Sequence, residues 1–109
     1  MKFRFDESAM ADVDSIADYY ALEDPCQAAR FIEDLFYQAR LYSLHPKLGY
    51  ELADGYRQFL LKHFPYTAIY VIDPTDRKII VVGVGHQSRR PDYWRGRIQE
   101  ESAVYQLAA

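Results

Sequence analysis

Cysteine is almost missing from this chain: Cys26 is the single one in 109 residues. An intramolecular disulfide is therefore excluded, and so is any zinc site built on paired thiolates. Following Pro25 in what reads as a helical first turn, Cys26 is expected to be a small packing residue rather than a nucleophile. Long apolar runs are missing too. No stretch approaches the roughly 18 residues of a membrane-spanning helix, and the opening MKFRFDE turns acidic at once, unlike a secretory signal. These absences lead to the expectation of a soluble cytoplasmic protein with no membrane partner. There is no internal repeat and no low-complexity segment. Half of the residues are apolar, enough for one modest core, so residues 1–109 are expected to form a single domain.

Positive charge is scarce where negative charge is dense. Between positions 6 and 54 eleven acids face only Arg30, Arg40 and Lys47, a local charge of −8 in a chain whose net charge is −3. General affinity for nucleic acid is disfavoured, because it rests on neutralising several phosphates and the acidic half would repel them. Asp12, Asp14 and Asp18 lie mostly off the apolar face of their helix. They diverge around it, whereas a Ca²⁺ or Mg²⁺ site needs converging oxygens, so they read as solvent charges and no metal is expected.

What is present has clear periodicity. Lys2 to Phe5 alternates polar and apolar, as a half-buried strand does. Asp6 is a good N-cap, and Ala9, Val13, Ile16, Ala17 and Tyr20 then recur on one helical face. Asp24-Pro25 ends that helix and starts another, with proline at the first helical position, where its missing N–H costs nothing. Ala28, Phe31, Ile32, Leu35, Ala39 and Tyr42 form the second stripe. The short connection predicts an antiparallel hairpin packed on a sheet. Phe36 and Tyr37 fall outside the narrow stripe and mark either a wider buried face or a partner surface. His45-Pro46 ends the helix, with His45 expected to cap it. Gly49 and Gly55 punctuate the loop, and Tyr56–Lys62, Tyr66–Asp73 and Lys78–Gly85 read as three strands of a meander. Pro74-Thr75-Asp76 turns between the last two.

The most informative stretch is IIVVGVGHQSRRPDYWRGR, residues 79–97. Ile79, Ile80, Val81, Val82 and Val84 are apolar on both faces, which predicts a strand inside the sheet. Past its end, between positions 86 and 97, His86, Arg89, Arg90, Arg95 and Arg97 crowd together with Tyr93 and Trp94. Four arginines against Asp92 give a local +3. Such a cluster suits an anionic group or a hot-spot pocket.

The order strand, two helices and meander, with Ala28-Ala29-Arg30-Phe31, Leu44-His45-Pro46-Lys47-Leu48-Gly49, Arg57, Phe64-Pro65-Tyr66, and His86-x-x-Arg89-x-Pro91-x-x-Trp94-x-x-Arg97, resembles the ParE branch of the ParE/RelE toxin superfamily over nearly the whole chain. The resemblance implies an α+β fold of order β-α-α-β-β-β, a helical hairpin on a small, mainly antiparallel sheet with a C-terminal helical segment. It also implies a toxin of a type II toxin–antitoxin module, without cofactor, neutralised by a ParD-like antitoxin that wraps hairpin and sheet. Phe36, Tyr37 and Tyr42 are the candidate antitoxin contacts.

Two activities divide the superfamily: ParE-like members poison DNA gyrase, and RelE-like members cut messenger RNA on the ribosome. RNA cleavage needs a base, an acid and cations for the developing charge. Here His86, Arg89 and Tyr93 match part of a RelE-like site, but Tyr66-Thr67-Ala68-Ile69 lacks its arginine and the loop before the meander carries Glu51 and Asp54. The favoured reading is a non-catalytic gyrase inhibitor with Arg57, His86, Arg89, Arg90, Trp94 and Arg97 as target contacts. The ribonuclease is the alternative, and an inactive antitoxin-binding remnant a second one. Arg57 is expected to serve also as a buried anchor, tying the sheet to the C-terminal segment through several acceptors at once.

Overall fold

The computed structural model describes residues 2–88. The expected C-terminal helical segment, with Arg89, Arg90, Tyr93, Trp94 and Arg97, lies outside the described residues. Strand β1 (Lys2–Phe5) leads into helices α1 (Glu7–Glu23) and α2 (Pro25–Leu44), followed by β2 (Tyr50–Glu51), β3 (Arg57–Leu60), β4 (Tyr66–Asp73) and β5 (Lys78–His86). Both caps form as the sequence predicts. The Asp6 carboxylate accepts from the Ala9 N–H at 2.9 Å, and Asp24 accepts from the Cys26 N–H at 2.9 Å. Such caps contribute about 1 kcal/mol each. Asp24 alone separates the helices, which forces the antiparallel hairpin.

The five strands are ordered β1-β5-β4-β3-β2. The meander is antiparallel, and β1 joins it at the edge, parallel to β5, with Phe5 opposite Val81. Its interior position explains why β5 is apolar on both faces from Ile79 to Val84. On the helix side Phe31, Leu35, Ala39, Phe59, Ala68, Tyr70, Ile79 and Val81 form the main core with Ala9 and Val13. On the other face Ile69, Val71, Ile80 and Val82 pack with Tyr56.

Between β4 and β5 the register slips: Ile69 pairs with Gly83, whereas Tyr70 pairs with Val81, so Val82 is an extra residue. This bulge inverts the alternation of β5 beyond it. Ile79 and Val81 face the helices before the bulge, and Val84 faces them after it. His86, two residues further on, comes to the helix side as well.

Three features differ from expectation. The first meander strand ends at Leu60 instead of Lys62, because the Asp34 carboxylate of α2 draws the Lys62 and His63 N–H groups out of the ladder, at 3.3 and 2.8 Å. Tyr50 and Glu51 add a two-residue strand to β3, too short to show periodicity. Cys26 is exposed at the hairpin corner, in the first turn of α2, rather than packed.

The loop between α2 and β2 is pinned from below. Arg57 Nη1 donates to the carbonyls of Lys47 at 3.1 Å and Gly49 at 2.9 Å, and the Tyr70 hydroxyl donates to the Pro46 carbonyl. Gly49 is required here: a Cβ would lie 2.8 Å from Tyr70 Cε1 and Cζ and closer still to the hydroxyl.

Candidate functional site

His86 stands exposed at the end of β5, where the bulge turns it toward α1. Tyr66, its partner across the ladder, presents its ring edge-on with centroids 5.4 Å apart. Together with Asp12, Ser15 and Ile16 of α1 they line a cleft of about 330 Å³. Beyond Val81 strand β5 has no β1 neighbour, and the Val84 N–H is taken instead by the Asp12 carboxylate at 2.9 Å. Asp12 therefore serves the sheet edge, a role its position off the helix stripe did not reveal.

The ring nitrogens of His86 are not equivalent. The Ser88 backbone N–H donates to Nδ1 at 3.1 Å, and Ser88 Oγ lies 2.8 Å from the same atom. A backbone N–H can only donate, so Nδ1 holds a lone pair and the neutral ring carries its proton on Nε2. Using Nδ1 as a base would break the turn that leads out of the sheet. Nε2 is a hydrogen-bond donor suited to an anion or a carbonyl.

Burial of the Tyr66 hydroxyl, and secondarily its hydrogen bond with Tyr20, pushes its pKa up to about 12. Tyr66 is thus a neutral wall of the cleft. The unfolded chain releases this proton near the ordinary value of 10 and the folded chain near 12, so the stability involved is intact below pH 10 and lost as pH rises to 12. Melting temperature is expected to fall across that window and to fall less steeply in Tyr66→Phe. An identical slope in the variant would assign the fall to other groups.

Of the predicted target contacts only Arg57 and His86 lie among the described residues, and the structure does not bring these two together. Arg57 pairs with Tyr70, which pairs with Val81, leaving it two strands from β5 and some 16 Å along the sheet from His86. Its guanidinium is occupied by the pinned loop, with Glu51 at 3.9 Å. The acceptors seen are the Lys47 and Gly49 carbonyls of the loop, and the expected tie to the C-terminal segment lies outside the described residues. Strand β4 carries no lysine or arginine, and Tyr66 rather than a cation sits opposite His86. Lys62 and His63 stand at the same end of the sheet but line a different cleft with Arg30, Asp34 and Gln38. No periodicity or motif pointed to that grouping.

Of the three aromatic candidates, Phe36 is 41% exposed and stacks on Phe5 with centroids 5.2 Å apart, and Tyr37 is 67% exposed. Tyr42 is half-buried and stacks on Phe59 at 4.9 Å. Phe36 therefore continues the surface of β1, whose outer edge has no strand partner among the described residues. No three His, Cys, Asp or Glu residues converge on a metal-binding point among the described residues.

Residues 3–91 match the family described as the ParE toxin of the type II toxin–antitoxin system, parDE. Among solved structures, the chain is similar to one titled chromosomal ParDE TA system from P. aeruginosa. That likeness has a TM-score of 0.66 at 22% identity and covers 79% of this chain and 95% of the other, a likeness of fold. No curated protein matches the sequence significantly.

Proposed function

Since this chain belongs to the ParE toxin family of type II toxin–antitoxin modules, we propose that it inhibits DNA gyrase by binding, without catalysis, and is neutralised by a cognate antitoxin. The observation that carries the non-catalytic reading is that, among the described residues, no cation of the neighbouring strand stands beside His86. His86 Nδ1 is engaged by the Ser88 N–H, Arg57 holds a distant loop, and β4 supplies no cation beside His86. One missing stabilising donor costs about 2.7–4 kcal/mol in a comparable transition state, so a site short of its cations is a poor catalyst. A protein-binding end needs only exposed donors and aromatics, which the stretch from His86 to Arg97 has in its sequence.

The antitoxin reading is supported by β1. An edge strand flanked by the half-exposed aromatics Phe3, Phe5 and Phe36 suits an added strand or a helix laid against it. Purified toxin is expected to inhibit gyrase supercoiling, and equimolar antitoxin to restore it. Antitoxin at a hundredfold excess over Kd should also stabilise the toxin by about 2.7 kcal/mol through mass action. Unimpaired supercoiling would overturn the gyrase assignment, and an unchanged melt at saturating antitoxin would overturn the antitoxin assignment.

A further inference from the structure

A cleft of about 640 Å³, within the range of small-molecule sites, runs along α2 beside the β3–β4 turn. Its floor is fixed. The buried Asp34 carboxylate accepts the Lys62 and His63 N–H groups, one on each oxygen, and so ties the turn to the helix. Asp34 is thereby occupied, but the side chains around it are not: those of Arg30, Lys62 and His63 make no ion pair or hydrogen bond among the described residues. Neither does that of Gln38, although it lines the cleft and is only 7% exposed. A buried amide is ordinarily bonded, and this one offers a donor beside an acceptor to a planar partner.

Along α2 these groups come in a fixed order. Arg30, Glu33 and Tyr37 succeed one another at three- and four-residue spacing and so lie in one row, with Gln38 beside Tyr37. From Arg30 to Gln38 the helix rises about 12 Å. A bare phosphate or carboxylate does not span that distance, and the Glu33 carboxylate between them would repel an extended polyanion. A ligand with an anionic head, hydroxyls in its middle and a flat hydrogen-bonding end meets all of these groups at once.

We propose that this cleft binds a mononucleotide, with its phosphate on Arg30 and Lys62, its ribose hydroxyls on the Glu33 carboxylate, and its base against the Tyr37 ring with one edge on the Gln38 amide. Each pairing has an ordinary chemical basis. A guanidinium matches phosphate oxygens, a carboxylate accepts from hydroxyls, an amide can bond two neighbouring groups of a base edge, and an aromatic face stacks on a base. A single phosphate also escapes the repulsion that disfavours a nucleic-acid strand, because the acids of the hairpin act on every phosphate of a strand. The assignment goes beyond the toxin reading and does not rest on it.

The test is calorimetric titration of the full chain with AMP, and separately with adenosine, inorganic phosphate and citrate. AMP is expected to bind about tenfold or more tighter than any of the other three, since only it engages both ends of the cleft. Arg30→Gln/Lys62→Gln, two exposed positions, should bring AMP down about tenfold, to the level of adenosine. Gln38→Met keeps the side-chain volume and should weaken AMP by a similar factor while leaving phosphate unchanged. A melt without ligand verifies the fold, and if Gln38→Met melts early the Arg30→Gln/Lys62→Gln protein alone decides. No AMP binding at millimolar concentration, equal affinity for phosphate or citrate, or AMP binding that ignores the Arg30→Gln/Lys62→Gln exchange would overturn the site. A single-stranded RNA that bound more tightly than AMP and lost affinity in the same variant would overturn the mononucleotide in favour of RNA.

Discussion

Truncating Trp94 or Arg90 to alanine is expected to weaken target binding by about 2 kcal/mol or more, roughly thirtyfold, while His86→Gln stays close to wild type. Tryptophan and arginine are the side chains that most often dominate an interface, because each buries a large rigid surface and satisfies directional contacts. His86 differs: its Nδ1 is an acceptor for the Ser88 N–H, a part a glutamine carbonyl can play. The comparison is made on gyrase supercoiling and on the DNA-damage response of cells in which each variant is induced. A catalytic His86 would behave otherwise, since losing a general acid or base costs about 10²–10⁴ in rate. Message cleavage at the ribosome without DNA damage, abolished by His86→Gln, would establish the ribonuclease instead.

Gly49→Ala is expected to destabilise the fold by about 3 kcal/mol, near the upper end for overpacking, and to lower the melting temperature by about 10 °C or more. The new Cβ collides with the Tyr70 ring, which is fully buried. Moving the backbone instead breaks the bonds from Arg57 to the Lys47 and Gly49 carbonyls. Arg57→Ala should cost about 2 kcal/mol for the same reason, as charge-assisted bonds to carbonyls are lost. Urea unfolding measures both. A Gly49→Ala protein within 0.5 kcal/mol of wild type would mean the loop is not pinned, and an Arg57→Ala variant that melts normally yet loses toxicity would assign Arg57 to the target surface.

Much of the fold was legible because local and global preferences agree. Apolar residues at helical spacing from Ala9 to Tyr20 and from Phe31 to Tyr42 face the core as read, and Asp6 and Asp24 cap the helices they precede. The uniformly apolar β5 lies inside the sheet because only an interior strand is covered on both faces. Cys26 was misjudged, since composition records how often cysteine is buried but not that a hairpin corner faces solvent.

The sequence by itself determined the two helices, their caps, the hairpin, the strands other than β2 and the family, all of which depend on side chains close together along the chain. Tertiary structure alone decided the rest. The bulge at Val82 set which side His86 faces, Asp34 ended β3 from a helix 28 residues away, and Asp12 found Val84 across 72. It also brought Lys2 and Arg40 to one cleft and Lys62 and Arg30 to another, from residues scattered over the chain. Packing creates such groupings, and no periodicity in a sequence encodes a distance between residues that only the folded sheet brings together.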